Sequence, residues 1–323
     1  MMTDMETNPL VSIITPSYNQ ARYLEQTLRS VLDQDYPNVE YWVMDAGSTD
    51  GSLRILDKYS KLLTGWVSEK DDGQADGINK GLRQARGDVV AWLNSDDLYH
   101  PGAISAAVKA LAEHPEASFV FSDVESIGPD GKPFHAMHYG QWGLAELMQF
   151  RIIGQPAVFM RRTALEQAGW LDPSYRYLLD HQLWLRLALI GKPCYLPHAV
   201  WAAARIHPQA KNISEAEGFG PEAYRLAYWI ENDERFYPLS ARLHEKIWAG
   251  AHRLNAFYLL EAGRAKDALQ MYRQSFHSHP SATLRDWRRV LYAEASSLGL
   301  RDVRKPVDWA RRAFYSRQRK PKK

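Results

Sequence analysis

Four apolar runs in the first hundred residues each end in a polar cluster. The first gives Thr15-Pro16-Ser17-Tyr18-Asn19 and the second Asp45-Ala46-Gly47-Ser48-Thr49-Asp50-Gly51. The third leads through Glu69 and Asp72 to Asp76, and the fourth gives Asn94-Ser95-Asp96-Asp97. A carboxylate such as Asp45 at a strand end can accept the imide N–H of a uracil-type base. Asp96 and Asp97 are hard oxygen donors, the type that holds Mg²⁺ or Mn²⁺ together with substrate phosphates. Taken singly, each cluster also reads as local structure: Pro16 and Asn19 as a turn, Ser48 or Thr49 as an N-cap, Asp72-Gly73 as a tight turn, Asp96-Asp97 as a solvated loop. Their joint placement at one edge of one sheet favours the ligand reading, because open α/β sheets bind ligands beyond the carboxyl ends of their strands. No Gly-x-x-x-x-Gly-Lys-Ser/Thr segment occurs, and no Gly-x-Gly-x-x-Gly follows the first run. That argues against a P-loop NTPase and a dinucleotide oxidoreductase.

These clusters need a scaffold, and the apolar spacing supplies one. Short runs at Val11–Ile14, Val39–Met44, Trp66–Val67, Val89–Leu93, Phe119–Phe121, Ala157–Met160 and Val200–Ile206 read as strands. Helical spacing over Ala21–Leu32, Gln74–Arg86 and Ala103–Glu113 places helices between them, giving right-handed β-α-β units and α/β layering. After about Asn212 the strand pattern stops, and Ala, Leu, Tyr and Glu at helical spacing predict an all-helical region. Within it, Leu254–Ser275 loosely resembles one tetratricopeptide-type hairpin; without a second copy at a fixed period, a helical extension is the favoured reading. The expected organisation is an N-terminal tail over 1–9, an α/β domain over 10–215, a helical region over 216–300 and a basic tail over 301–323.

Composition narrows the class further. The 323 residues are 45% hydrophobic and 24% charged, as in an ordinary globular protein. Forty Lys and Arg against 38 Asp and Glu give a net charge of +2, so nucleic acid is not an expected partner. The single Cys194 excludes an intramolecular disulfide and fits a reducing compartment. A polar, acidic N-terminus and the lack of a long apolar stretch predict a cytoplasmic protein that does not span a membrane. Ten basic residues against two acidic ones from Arg301 onward leave the tail at +8. Such a tail can lie peripherally on the anionic inner face of a membrane or stay solvated.

The first, second and fourth clusters, with their strands, resemble the nucleotide-binding half of glycosyltransferase family 2, the inverting GT-A enzymes. The stretch Asp72-Gly73-Gln74-Ala75-Asp76-Gly77-Ile78-Asn79-Lys80-Gly81 is similar to the donor-side loop and helix of that family. The resemblance spans about residues 10 to 207. It implies a GT-A (Rossmann-like) domain with a mixed, mostly parallel sheet, a UDP- or dTDP-linked sugar donor, and Mn²⁺ or Mg²⁺ on the diphosphate. It assigns Thr15, Pro16, Tyr18, Asp45 and Asp76 to the nucleotide. Asn94 and Ser95 join the donor side, and Asp96 and Asp97 are the metal ligands. Asn94 occupies the first position of the Asp-x-Asp motif, where it can hydrogen-bond but carries no charge.

Inverting transfer needs one general base beside the acceptor hydroxyl. The resemblance assigns it to Asp180 in Leu179-Asp180-His181-Gln182-Leu183-Trp184, where Leu179 stands in place of a first acidic residue. Asp180 and Trp184 are spaced to share a helical face, so Trp184 is expected as a platform for an acceptor sugar. Gln155 in Gly154-Gln155-Pro156 is similar to a segment lining the acceptor cleft, and His207 stands where the family often places a diphosphate or metal contact. The expected partners are a nucleotide-sugar donor and a saccharide or lipid-linked saccharide acceptor, in cell-surface polysaccharide synthesis. Two other readings are a sugar-phosphate nucleotidyltransferase, against which the lack of a Gly-rich basic loop counts, and a non-catalytic sugar-nucleotide-binding scaffold, which Asn94 and Leu179 would suit.

Overall fold

The computed structural model describes residues 8–300; the basic tail lies outside the described residues. The strands are β1 (Val11–Ser17), β2 (Val39–Asp45), β3 (Gly65–Ser68), β4 (Val89–Trp92), β5 (Leu98–Tyr99), β6 (Ala117–Ile127), β7 (Pro133–Met137), β8 (Val158–Arg161) and β9 (Lys192–Arg205). Between them run α1 (Ala21–Leu32), α2 (Ser52–Tyr59), α3 (Gln74–Gln84), α4 (Ala103–Glu113), α5 (Leu144–Met148), α6 (Arg162–Ala168) and α7 (Leu179–Ile190). The remaining helices are α8 (Lys211–Ser214), α9 (Phe219–Asn232), α10 (Leu239–Glu261), α11 (Ala265–Ser278), α12 (Pro280–Leu284) and α13 (Trp287–Ser297). The described chain divides into two compact units: residues 8–127, 136–144 and 153–205, and residues 128–135, 145–152 and 206–300.

In the first unit the strand order is β3-β2-β1-β4-β8-β6-β9-β5. The pairs β3·β2, β2·β1, β1·β4 and β6·β9 are parallel, whereas β8 runs antiparallel to both β4 and β6, and β5 to β9. This is the mixed, mostly parallel α/β sheet expected. A strand covered on both faces needs an unbroken apolar run, and β1 and β4 are buried at every residue. On α1, Tyr23, Leu24, Thr27, Leu28 and Val31 recur at helical spacing and are buried, with Val11, Ile13 and Val43 in the same core. Close approach of α3 to the sheet needs a residue without a side chain at Gly81, where a Cβ would stand 2.6 Å from Ile14 Cγ2.

Two strands are longer than the apolar runs suggest. Buried Ser118, Ser122, Asp123 and Ser126 interrupt the hydrophobic pattern of β6, yet the strand runs eleven residues. On β9 the register jumps from Ser122↔Leu196 to Asp123↔Val200, and His198 has a φ of 63°. That bulge breaks the alternation that marks a strand.

The second unit is helical. Ala256, Leu259 and Leu260 of α10 pack with Ala265, Ala268 and Tyr272 of α11 and Ala293 of α13, so these three helices share one core. Among the described residues no helix is long and apolar enough to cross a membrane.

Candidate functional site

The chain leaves β1 to build β2 and β3 on one side and returns to place β4 on the other. The carboxyl ends of β1 and β4 therefore flank a topological switch point, where a ligand finds loops diverging from the sheet. The β1 and β2 loops are laced together there. Asn19 N–H donates to Ser48 Oγ at 2.7 Å, Thr49 N–H to Asn19 Oδ1 at 2.8 Å, and Ala21 N–H to Asp50 Oδ2 at 2.8 Å. These bonds satisfy backbone donors at the start of α1 from outside the helix.

Asp45 closes β2 and is almost completely buried. Its Oδ2 accepts from Gly47 N–H at 3.1 Å, Ser48 N–H at 2.8 Å and Ser68 Oγ at 2.7 Å, while among the described residues Oδ1 accepts only from Ser48 Oγ at 2.5 Å. A carboxylate oxygen offers about two lone-pair directions, so Oδ1 keeps capacity for one more donor. Across the ladder from Asp45 stands Ser17, whose buried Oγ has no hydrogen-bond partner among the described residues. Tyr18 is 62% exposed beside them. Asp76 lies in the first turn of α3, 3.3 Å from Lys80 Nζ.

Two residues expected to line the nucleotide are buried. Thr15 is fully enclosed and its hydroxyl is bonded to the Tyr41 hydroxyl at 2.9 Å. Pro16 is also buried within β1. Both belong to the floor of the sheet because every residue of β1 is covered.

Beyond β4, Asn94 is the hub of a polar network. Its Oδ1 accepts from Gln74 Nε2 at 2.8 Å, and its Nδ2 donates to Asp97 Oδ2 at 3.2 Å and to Gln155 Oε1 at 3.3 Å. Ser95 is buried next to it and Asp96 half-buried. Asp97 points inward: Arg205 N–H donates to its Oδ1 at 2.9 Å, and Thr27 Oγ1 donates to its backbone carbonyl at 2.8 Å. Burial, followed by the charge of Asp96, pushes the Asp97 carboxyl well above the usual range, against the pull of the Arg205 and Asn94 bonds. Asp97 thus ties the loop after β4 to the end of β9.

Arg205 is the member of this site that sequence reasoning missed. Its guanidinium donates to the Asp96 carbonyl and to Gln26 Oε1, both at 2.8 Å, and stacks over the Tyr23 ring at 4.7 Å. Nothing in the apolar spacing marks it. Among the described residues no three His, Cys, Asp or Glu side chains converge as a metal cage. The donor set at Asp96 instead fits a hard cation held by one carboxylate and shared with substrate phosphate oxygens.

On the acceptor side, Asp180 sits in the first turn of α7, whose N-cap is Leu178, so Asp180 is not itself the cap. His181 N–H donates to its Oδ1 at 2.7 Å. Trp184 is completely buried, stacked on Trp92 with centroids 5.3 Å apart and against Phe119 at 5.4 Å. It belongs to the core and is not an acceptor platform, because α7 is buried on nearly all sides. Gln155 is also buried; its Nε2 donates to the Trp92 carbonyl at 2.8 Å, and with the Asn94 bond this makes it a brace for the β4 loop rather than a surface for sugar. His207 falls in the second unit, buried, with Nδ1 3.2 Å from Gln209 Oε1.

Comparison with known proteins agrees with this geometry. Residues 12–166 match the family described as Glycosyl transferase family 2. Over 193 residues the chain is 34% identical to the putative teichuronic acid biosynthesis glycosyltransferase TuaG of Bacillus subtilis, a match covering 58% of this chain and 75% of that one. Among solved structures, S. aureus TarS 1-349 in complex with UDP-GlcNAc has a TM-score of 0.55 at 16% identity, covering 84% of this chain and 92% of that one. The mannosyltransferase PcManGT from Pyrobaculum calidifontis, in complex with GDP-Man and Mn2+, has a TM-score of 0.59 at 21% identity, covering 90% and 87%. The chain belongs to glycosyltransferase family 2 and is a glycosyltransferase enzyme.

Proposed function

We propose that the enzyme moves a sugar from a UDP or dTDP donor to a saccharide or lipid-linked saccharide, with inversion, in cell-surface polysaccharide synthesis. The observation that carries this reading is the Asp45 cradle, with a lone-pair direction left on Oδ1 and the orphaned Ser17 hydroxyl across the ladder. An imide N–H satisfies the first and a nucleoside hydroxyl or carbonyl the second. Tyr18 offers its exposed ring to the base, and Asp76 borders the nucleotide from α3. The names of TuaG, a teichuronic acid enzyme, and of TarS bound to UDP-GlcNAc support a polysaccharide product and a uridine donor.

In the proposed displacement Asp180 accepts the proton of the acceptor hydroxyl as its oxygen attacks the anomeric carbon, and the nucleoside diphosphate departs from the opposite face. Asp96, backed by the Arg205 bond to its carbonyl, presents its carboxylate toward the diphosphate. Mg²⁺ or Mn²⁺ held by Asp96 and phosphate oxygens would offset the charge developing on the leaving group. Calorimetric titration of UDP, dTDP and GDP, each with and without Mn²⁺, tests the donor reading. Metal-dependent binding of UDP or dTDP in preference to GDP is expected; no binding of either would overturn it.

A further inference from the structure

Asp123 is a buried carboxylate that the transfer chemistry above does not use. It lies on β6 where the β9 bulge shifts the register, 2% exposed. Burial acts to raise its pKa, but bonds from His138 and Tyr195 outweigh that and hold the carboxyl below its ordinary value. Asp123 Oδ2 meets His138 Nδ1 at 2.6 Å, and Oδ1 accepts from the Tyr195 hydroxyl at 2.7 Å and from Tyr139 N–H at 3.0 Å. A carboxylate taken out of water is costly unless it is paired and hydrogen-bonded. Here the pairing fixes rings drawn from β9 and from the 138–142 segment. The His138 side chain is 70% exposed. With Nδ1 engaged by Asp123, its other ring nitrogen is held in a defined orientation.

Aromatic rings extend from this anchor. Tyr139 packs 5.5 Å from Trp142 in an edge-on arrangement, and Tyr195 packs 5.4 Å from Phe121. Trp142, Tyr139 and Tyr195 are partly exposed. Gln141 ties the segment to β9, donating to the Pro193 carbonyl at 2.8 Å and accepting from Tyr195 N–H at 3.2 Å. The cluster also meets the segment that leads into Gln155. A Cβ at Gly154 would strike the Tyr139 hydroxyl, so that ring closes over a position only glycine can fill. Gly154 in turn precedes Gln155, which is bonded to Asn94.

We infer that this cluster is the acceptor subsite: a saccharide ring lies against Trp142 and Tyr195, with His138, oriented by Asp123, bonding a hydroxyl. Aromatic faces receive the C–H side of a pyranose while a few fixed polar groups set its orientation, the usual composition of a ligand pocket. Trp142 replaces the buried Trp184 as the platform, and Asp123 is a positioning residue. The inference rests on the glycosyltransfer reading of Asp180 for the identity of its occupant.

The test is saturation-transfer NMR of the full chain with chitobiose, cellobiose and maltose, with no nucleotide present. At least one disaccharide is expected to bind, Trp142→Ala and His138→Ala each to weaken it by about tenfold, and Trp142→Phe to retain most of it. Both alanine variants should retain a cooperative thermal transition, His138→Ala at a lower temperature because Asp123 loses a partner, and binding is compared where each is folded, which separates lost contact from lost fold; His138 is exposed enough for its variant to serve if Trp142→Ala does not fold. Binding of none of the three sugars, or binding that survives both alanine variants, would overturn the assignment. Failure of wild-type protein to bind UDP in the separate calorimetric experiment would remove the donor reading while leaving this result to stand or fall alone.

Discussion

Replacing Asn94 by aspartate would complete the Asp-x-Asp pattern, and the geometry predicts harm rather than gain. Asn94 Nδ2 stands 3.2 Å from Asp97 Oδ2 and 3.3 Å from Gln155 Oε1, so this position must donate. A carboxylate there sets two negative charges face to face, an interaction of about 5 kcal/mol at an effective dielectric of about 20. The buried Asp97 is already hard to ionise, so the pair would escape part of that cost by holding one proton. The net loss is then about 2 to 3 kcal/mol at neutral pH, comparable to losing a hydrogen bond to a charged group. Because the escape takes up a proton, the loss shrinks as pH falls. Urea unfolding of Asn94→Asp and wild type at pH 5 and pH 8 reads this directly, with the larger deficit at pH 8. Equal stability at pH 8, or a deficit that grows toward pH 5, would refute the reasoning.

Asp45→Ala should weaken UDP binding by about tenfold or more, the cost of an unmet buried donor on the base, measured by calorimetry at a temperature where circular dichroism shows the variant folded. Gly81→Ala forces a Cβ onto Ile14 and Met44 and should cost about 1 to 3 kcal/mol in denaturant unfolding. Asp123 has a folded pKa below its unfolded value, so its stabilisation is complete above about pH 4 and is lost as pH falls through the folded value. Acid titration of stability should therefore be less steep below about pH 4 in Asp123→Asn than in wild type.

Much of the architecture was legible because it rests on spacing. Leu24, Leu28 and Val31 on one face gave α1 its bounds, and α4 is equally plain. The polar clusters after β1, β2 and β4 marked the switch point because β1 and β4 are fully buried and β2 lies beside β1. What spacing could not tell was which way a side chain faces once an element is buried all round. Trp184 is four residues from Asp180, but α7 carries buried residues on every face, so their shared face is no guide to a shared cleft. Thr15 looked available because it is polar; its hydroxyl is taken by Tyr41 from the adjacent strand, a partner 26 residues away. Arg205 and the Asp123 cluster depend on contacts made across the sheet by residues from β4, β6, β9 and an irregular segment. No periodicity predicts those, and the β9 bulge that aims Tyr195 erases the alternation that would have revealed the strand.

The assignment of Asp180 as the base is tested most directly by separating binding from turnover. With the sugar nucleotide and saccharide that give the fastest wild-type transfer, Asp180→Asn should lower turnover by about a hundredfold or more while the Kd for UDP stays within about threefold. An Asp180→Asn enzyme that keeps wild-type turnover would contradict the account.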